Sequence, residues 1–396
     1  MVTTGVLGGR WRATVSPAGT VEPWDGSPPL HWYVAADDRW HTPEDEPTVR
    51  QRRIDATPVV ETRVKVPNGD AVQRVWSVPD GGGCTIVEIE NDSSLPFAVA
   101  FDRPDLVAAR EPANVPIQGI DLPAGSVVFP VGHRSTVRLA LAHDGVAAGS
   151  IRLDSLAPPL QVARGWTAIL DRAGRLLLPD DALVEQVGAL RSELALGGPA
   201  LPADDAIGFL IDVAQLVRLG EQAEPWVPDV ADAVAAAARE ADSWDRAAAL
   251  DAAAVVMARA GEDRALRDLA RLGTLAASLP PLAPAGRVLV WNERRLAQPR
   301  SDGTADLLSL GMPATWLGAN FEVHGLPIGP SSTVSFAVRW HGDRPAVLWE
   351  TTGPIVPLTA SFLAPEWSTA ERSGEALWRA PAGAPPIDST GDISFS

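Results

Sequence analysis

The sequence has very little cysteine and lysine, and each shortage excludes a class of chemistry. Cys84 is the only cysteine, so an internal disulfide, a Cys-x-x-Cys redox pair and a cysteine-based zinc site are all excluded. Lys65 is the only lysine among 33 basic residues. Because Lys65 lies in a strand-like run, the sequence offers no P-loop lysine and no Ser-x-x-Lys nucleophile pair.

Long apolar runs and catalytic motifs are also missing. No run approaches the length of a membrane span, and the first residues do not resemble a secretory signal, so we expect a cytoplasmic protein without membrane contacts. The histidines do not show the His-Glu-x-x-His spacing, and no Gly-x-Ser-x-Gly elbow is present. Gly81–Gly83 lies between two strand-like runs and predicts a hairpin turn rather than a phosphate loop. We therefore expect no cofactor and no metal site.

Basic residues are outnumbered by acidic ones. The chain has 33 basic and 50 acidic side chains and a formal charge of −17. Sequence-independent nucleic-acid binding needs clustered cations, and an anionic membrane surface needs them too. The charge therefore argues against nucleic-acid and membrane partners.

Residues 1–165 have the pattern of an antiparallel β-sandwich. Val60, Val64 and Val66 alternate with polar residues, as in a half-buried strand. Pro67–Asp70 supplies an Asn-Gly turn, and further strand-like runs follow at short intervals.

Residues 180–275 change to helical spacing. Leu183, Val187 and Leu190 recur on one face, and Asp180 or Asp181 and Asp204 or Asp205 are candidate N-caps. We expect about five helices in antiparallel pairs, a short α/α array. This stretch carries 18 acidic and 8 basic side chains, a net charge of −10. The charge is explained either by a solvated outer helix face or by a docking surface for a basic partner.

Residues 286–379 return to strand patterns after a linker at 279–286. Thr333–Trp340 and Pro345–Glu350 predict a hairpin, in which Trp340 and Trp349 would pair across the turn. Val288–Trp291 is a further strand candidate. Residues 380–396 lack a core-forming pattern and predict a disordered tail. The fold class expected overall is α+β and multidomain.

The chain resembles a known group of proteins in two respects. One is the order of its segments, a sandwich, then a helical array, then a Trp-rich β segment. The other is the sequence of two stretches in the first segment. The stretches are Pro58–Asp70 (PVVETRVKVPNGD) and Val87–Ala100 (VEIENDSSLPFAVA). They resemble the β-supersandwich of glucoamylase-like and glycogen-debranching-like inverting glycosidases, which also carry an α/α helical domain. The resemblance implies carbohydrate contact. The chain departs from that group in its helical domain, which we expect to be shortened because residues 180–275 are too few for the group's full ring of helices.

Tryptophan dominates the aromatic residues, with 14 Trp against 8 Phe and 1 Tyr. Trp combines a wide apolar face with one N–H donor, which suits both stacking on sugars and core packing. The sugar-contact candidates are therefore Trp291, Trp316, Trp340 and Trp349, with His324 beside them.

Three carboxylates near these rings are candidates for acid or base catalysis: Glu293, Glu322 and Glu350. A glycosidase needs one protonated carboxyl and one ionised partner. Trp349-Glu350 loosely resembles the Trp-Glu of the family's acid loop. Ion pairing with Arg294, Arg295, Arg339 or Arg344 is the competing expectation for all three.

Two functions remain open from the sequence. The first is a carbohydrate-contacting protein of glycosidase-like architecture, either a glycoside hydrolase or a degenerate, inactive one. The alternative is a non-catalytic scaffold that docks a protein partner through its acidic helical region.

Overall fold

The computed structural model describes residues 1–114, 117–272 and 285–383, and it comprises two compact units. The first unit contains residues 1–168 and 195–197, and the second contains residues 169–194 and those from 198 onward. The described residues form seven α-helices and five sheets, an α+β fold with a β-rich N-terminal region. Residues 279–284 of the expected linker and 384–396 of the expected tail lie outside the described residues.

The first unit is an antiparallel β-sandwich. Three sheets run in the orders β1-β2-β3, β12-β10-β4-β5 and β11-β13-β9-β8-β7-β6. Their strands are Val2–Gly5 (β1), Arg12–Val15 (β2), Val21–Pro23 (β3), Trp32–Ala35 (β4), Trp40–His41 (β5), Arg50–Arg53 (β6), Val60–Val66 (β7), Gly69–Val78 (β8), Cys84–Ser93 (β9), Phe97–Phe101 (β10), Val107–Ala108 (β11), Val127–Val131 (β12) and Thr136–Ala142 (β13).

One apolar core joins these sheets. Trp32 of β4, Val75 of β8 and Phe129 of β12 are all buried in it. The alternation of β7 places Val60, Val64 and Val66 in the same core, as the sequence predicted. The predicted hairpin turn at Gly81–Gly83 is confirmed, since it connects β8 to β9.

The other face of the six-stranded sheet is covered as well. Trp76 and Ile86 point to a second cluster that includes Ile151, Leu153 and Ala163. Ala163 belongs to the helix Pro159–Leu170 (α1). Both faces of this sheet are therefore apolar at its centre, which is why β8 and β9 are buried along most of their length.

The prediction of about five helices within residues 180–275 is confirmed for the described part, residues 180–272, which holds five. Asp180 accepts a hydrogen bond from the Leu183 N–H at 3.0 Å, and Asp205 accepts one from the Gly208 N–H at 2.8 Å, so both act as N-caps. Gly220 ends one helix in the left-handed region at φ 119°, which a residue with a Cβ rarely adopts. These helices and the one that follows them are Asp181–Gly197 (α2), Ala206–Leu219 (α3), Val227–Ala237 (α4), Trp244–Arg259 (α5), Asp263–Arg271 (α6) and Ala285–Arg294 (α7).

Helix α7 corrects the strand expected at Val288–Trp291. Leu289 packs in the core of the adjoining sheets, whereas Val290 packs among the helices. A helix buried on two sides gives a continuous apolar run. Periodicity cannot distinguish such a run from a buried strand.

The sheets of the second unit have the orders β14-β17-β18-β19-β22 and β15-β16-β20-β21. The first is antiparallel throughout, and the second contains one parallel pair, β16 with β20. Their strands are Arg175–Leu177 (β14), Ala297–Pro299 (β15), Ala305–Leu307 (β16), Phe321–Pro327 (β17), Thr333–His341 (β18), Arg344–Thr352 (β19), Leu358–Thr359 (β20), Ser368–Thr369 (β21) and Ser373–Leu377 (β22).

The predicted hairpin of β18 and β19 is confirmed, but the expected pairing of Trp340 with Trp349 is wrong. The two-residue turn pairs His341 with Arg344, and this register places Trp340 opposite Pro345 and Trp349 opposite Phe336. The length of the turn alone fixes these partners.

None of the helices within residues 1–114, 117–272 and 285–383 combines the length and apolarity that a membrane crossing requires.

Candidate functional site

Glu293, the first of the three expected carboxylates, is buried in the second unit. Its carboxylate accepts hydrogen bonds from Arg191 at 2.7 Å, Arg218 at 2.6 Å and Gln215 at 3.0 Å. Burial by itself would raise the pKa of Glu293, but the charges of Arg218 and Arg191 outweigh it and lower that pKa. Glu293 is thus an ionised partner of two helical arginines and not of Arg294 or Arg295.

The other two carboxylates lie on the solvent-facing side of the five-stranded sheet. Glu322 pairs with Arg339, as the sequence suggested, and with His324, whose Nε2 lies 3.0 Å from its Oε2. These hydrogen bonds lower the pKa of Glu322, so this carboxyl is suited to stay ionised and not to donate a proton. Glu350 is exposed on β19, opposite Ser335 and Ser373.

The candidate tryptophans pack against other aromatic rings. Trp316 is 1% exposed and lies 5.2 Å from the Phe321 ring, and Trp349 is 6% exposed and lies 5.3 Å from the Trp367 ring. Trp291 packs edge-on to Trp244 at 5.9 Å and is half-buried.

Trp340 is half-buried too, and its Nε1–H donates to the Ala319 carbonyl at 2.9 Å. The four tryptophans thus contribute to the apolar clusters of the second unit. They do not surround any of the three expected carboxylates as one aromatic platform.

Two other carboxylates, Asp205 and Asp212, line a pocket of the second unit together with Glu193. We call it the carboxylate pocket. It encloses about 780 Å³, counting the part open to solvent. Its lining includes Asp205, Gly208 and Asp212 of α3 and its N-cap, Gly286 and Arg287 of α7, and apolar side chains such as Leu289.

Asp205 is held in place from two directions. As the N-cap of α3 it accepts from the Gly208 N–H, and both of its oxygens accept from Nη2 of Arg287, at 2.9 and 3.2 Å. Nε of the same guanidinium lies 3.6 Å from Oδ2 of Asp245, which does not line the pocket. Burial raises the pKa of Asp245, although the Arg287 charge opposes this rise.

The carboxyl group of Asp212 is largely buried from solvent. Burial raises the pKa of Asp212 to about 6, against the hydrogen bond that the Ala200 N–H donates to Oδ2 at 3.0 Å. The charge of Asp205 raises this pKa further, and that of Arg287 lowers it. Near neutral pH a measurable fraction of Asp212 is therefore protonated.

The two carboxylates share one face of α3. They are seven residues apart, close to two helical turns, which separates their backbones by about 10 Å along the axis. The Asp205 carboxylate is drawn toward Gly208 by its capping bond, and the Cα–Cβ bond of Asp212 tilts back toward the helix N-terminus. Both carboxylates line the pocket, and the charge of Asp205 is close enough to raise the pKa of Asp212.

Two glycines make room for this arrangement. A Cβ on Gly208 would lie 2.5 Å from Oδ2 of Asp205, and a Cβ on Gly286 would lie 2.0 Å from Oδ1 of Asp212. Any side chain at either position would displace a carboxylate. The backbone of α7 therefore approaches Asp212 directly.

Sequence reasoning recognised Asp205 only as a cap and missed Asp212 altogether. A signal was present, because Asp212 interrupts the apolar run Ile207–Leu219 of a helix that is buried almost throughout. Arg287, which joins Asp205 to Asp245, carried no comparable signal because its partners lie far away in sequence.

In the part of the chain that the structure describes, no group of three or more His, Cys, Asp or Glu side chains has the arrangement of a metal site. No model of a known protein family matches the sequence, and no curated protein matches it.

Proposed function

We propose that this chain contacts carbohydrate through the carboxylate pocket, within a glycosidase-like architecture related to the glucoamylase-like group. The observation that carries the proposal is the pair Asp205 and Asp212. One is ion-paired with Arg287, the other has a pKa raised to about 6, and both face one pocket. A carboxyl with a raised pKa beside a second carboxylate is the arrangement that glycoside chemistry uses.

Sugar hydroxyls suit this pocket chemically. Each hydroxyl donates one hydrogen bond and accepts others, and the carboxylates of Asp205 and Asp212 are acceptors. Arg287 supplies donors, while Leu190 and Leu289 offer apolar surface to the C–H groups of a sugar ring. No Trp, Phe or Tyr belongs to the described lining of the pocket, so recognition here would depend on hydrogen bonds and not on stacking.

Binding without hydrolysis is the form of the proposal that the contacts favour. Inversion requires two carboxyl groups about 6.5–9.5 Å apart with water between them. A general base must keep a lone pair free for water. Asp205 accepts from the Gly208 N–H and twice from Arg287. This engagement disfavours Asp205 as a base and supports a degenerate glycosidase in which Asp212 is the main acceptor for a sugar hydroxyl.

The test is a glycan array followed by calorimetry with α- and β-linked glucans and by aryl-glycoside assays. We expect a glycan signal, no turnover, and an affinity at least about tenfold weaker in Asp212→Ala, which deletes one charge-assisted hydrogen-bonding group. Asp268→Asn, at a side chain that is 58% exposed on α6, is the matched control and should bind like the native chain. An absence of signal across both linkage classes would contradict the proposal, and turnover would replace the degenerate form by an active one.

A second candidate is the scaffold that docks a basic partner. Helix α4 and its flanks carry five exposed carboxylates, and among the described residues none of them has an arginine or lysine within ion-pair distance. They are Glu221, Glu224, Asp229, Asp232 and Glu240. An unneutralised acidic patch attracts cationic surfaces at low salt.

Pull-downs at low and high salt test this candidate. We expect a partner that is retained at low salt and lost both at high salt and in the quadruple variant Glu221→Gln, Glu224→Gln, Asp229→Asn and Asp232→Asn. Glu111→Gln with Asp144→Asn, two exposed acidic residues of the first unit, is the control that should retain it. If the partner is retained equally at low and high salt, docking does not depend on the charge of this acidic surface, and this candidate is contradicted.

A further inference from the structure

A second pocket of the second unit differs from the carboxylate pocket in its chemistry. It is lined by α3, α5 and α7, with Pro327 and Pro330 also in the lining, and encloses about 630 Å³, counting the part open to solvent. We call it the Gln215 pocket. The side chains that form its walls are mostly small and apolar, and α5 contributes Ala248, Ala252 and Val255.

The polar groups of this pocket are few and mostly paired. Glu293 and Arg218 line it and bond to each other at 2.6 Å. Arg218 also donates to the Ala173 carbonyl. Arg294 and Asp251 form an ion pair at 2.6 Å, and Asp251 is half exposed. These four side chains already have partners.

Gln215 is the exception. It is 2% exposed, it lines the pocket, and its Nε2 lies 3.0 Å from Oε2 of Glu293. Because the Glu293 carboxylate is ionised and can only accept, the amide nitrogen must be the atom that faces it. The Gln215 Oε1 is then left without a hydrogen-bond partner among the described residues, and it is out of reach of bulk solvent.

A buried acceptor without a partner is unfavourable, and a molecule that enters the pocket with one donor would remove this cost. We propose that the Gln215 pocket binds a small, neutral, largely apolar molecule that carries one hydroxyl or amide donor directed at the Gln215 Oε1. The apolar walls would receive the body of that molecule, and the amide oxygen would fix its orientation.

Two other ligand classes fit less well. An organic carboxylate would meet the Gln215 Oε1 and the Glu293 carboxylate, both acceptors, while Arg218 is already engaged by Glu293 and Ala173. A sugar would bury several hydroxyls among small apolar side chains, where the Gln215 Oε1 is the one buried acceptor without a partner in the described lining, and the other hydroxyls would stay unsatisfied. The inference is therefore independent of the carbohydrate proposed for the carboxylate pocket.

Three probes of similar size distinguish these classes: benzyl alcohol, its methyl ether and benzoate. Binding to the full-length protein is measured by ligand-observed NMR and by calorimetry. We expect the alcohol to bind about fivefold more tightly than the ether, the ratio that one net hydrogen bond gives. Benzoate should bind more weakly than the alcohol.

Gln215→Met keeps the length of the side chain and removes its acceptor, together with the amide donor to Glu293. In this variant the alcohol and the ether should bind equally well. Ala254→Leu, from the half-buried part of the α5 wall, fills the pocket and should abolish binding of both. Circular dichroism of each variant checks that the fold is retained, and the comparison within the native protein does not depend on either variant.

Several results would overturn the inference. Equal affinity of alcohol and ether for the native chain would show that Gln215 does not select a donor. Tighter binding of benzoate would assign the pocket to anions. If no probe binds up to its solubility limit and a crystal structure places only a water molecule on the Gln215 Oε1, the pocket is a hydration site and the inference is wrong.

Discussion

Glu293 of α7 and Arg218 of α3 form an ion pair at 2.6 Å in which both side chains are less than a tenth exposed. Arg191 of α2 completes the group on the other carboxylate oxygen. The ionised carboxylate of Glu293 thus joins the three helices. It also neutralises the charges of both guanidinium groups. This network is the polar centre of the helical half of the second unit.

Removal of this carboxylate should destabilise the second unit strongly. In Glu293→Gln the charges of Arg191 and Arg218 remain buried without a counter-ion, and losses of about 3–5 kcal/mol in the free energy of unfolding are typical when one member of a buried pair is removed. Chemical denaturation measures the loss, and hydrogen exchange should show faster opening of α3 and α7. Glu322→Gln, which breaks a partly exposed pair on the sheet surface, is the control and should cost no more than about 1 kcal/mol. Equal stability of Glu293→Gln and the native chain would contradict the assigned role.

The first unit should lose stability in acid through His143. This ring is 7% exposed, stacks on Trp11 at 4.1 Å and lies 3.0 Å from the Thr85 hydroxyl. Burial lowers the pKa of His143 to about 4, against about 6.5 for an unfolded chain. The unfolded state therefore binds the extra proton first, and the stability present above pH 6.5 falls by up to about 3 kcal/mol as the pH drops to 4. Denaturant titrations at several pH values measure the slope.

His143→Gln isolates this contribution from that of the carboxylates, which titrate in the same range. The variant should be less stable than the native chain at pH 7, yet its stability should change less between pH 6.5 and 4. Parallel pH profiles for the two proteins would show that His143 is not the titrating group.

Asp212 should have the opposite dependence on pH. Its pKa is raised to about 6, so the folded state favours the protonated form. The stability it contributes is complete below pH 3.8 and is lost as the pH rises through 6. Asp212→Asn keeps an oxygen for the Ala200 N–H and removes the charge. At pH 8 this variant should be more stable than the native chain by about 1–3 kcal/mol, and near pH 4 the two should agree.

Asp302→Asn is the control for this experiment. Its hydrogen bonds to Thr304 lower the pKa of Asp302, and the residue is exposed in a turn. It should give no gain at pH 8. If the native protein is as stable as Asp212→Asn at every pH, Asp212 is solvated like an ordinary aspartate. The carboxylate pocket would then lack a carboxyl with a raised pKa.

Gly374 should not tolerate a methyl group. It lies on β22 directly opposite Trp349, and a Cβ there would lie 2.6 Å from Cζ2 of the indole. Because Trp349 itself packs on Trp367, the ring cannot move without cost. Gly374→Ala should lower the free energy of unfolding by about 1–3 kcal/mol. Gly165→Ala in α1, where a Cβ meets open space, should instead be neutral or stabilising by up to about 1 kcal/mol, and thermal denaturation of both variants compares them.

Local patterns predicted much of the secondary structure. Alternation in Val60–Val66, the Asn-Gly turn and the caps Asp180 and Asp205 each depend on residues a few positions apart, so the sequence displays them directly. The same reasoning was wrong for Val288–Trp291, because an element buried on two sides has no polar face to reveal its period.

The candidate sites were less predictable. Glu293 was expected near its sequence neighbours Arg294 and Arg295, but its partners are Arg191 and Arg218 from other helices. Asp212 and Arg287 line one pocket although 75 positions separate them. Contacts of this range depend on how helices pack, and no local pattern specifies them.

The sequence by itself determined the excluded chemistries, the order of β, α and β segments, and the places where helices begin, because composition, periodicity and capping are local properties. Only the tertiary structure decided which carboxylates are buried, which are ion-paired and which face a pocket. The physical reason is that the charge state of a carboxyl depends on its solvation and on its neighbours in space. The packing of α3 against α7 supplies both for Asp212 and for Glu293.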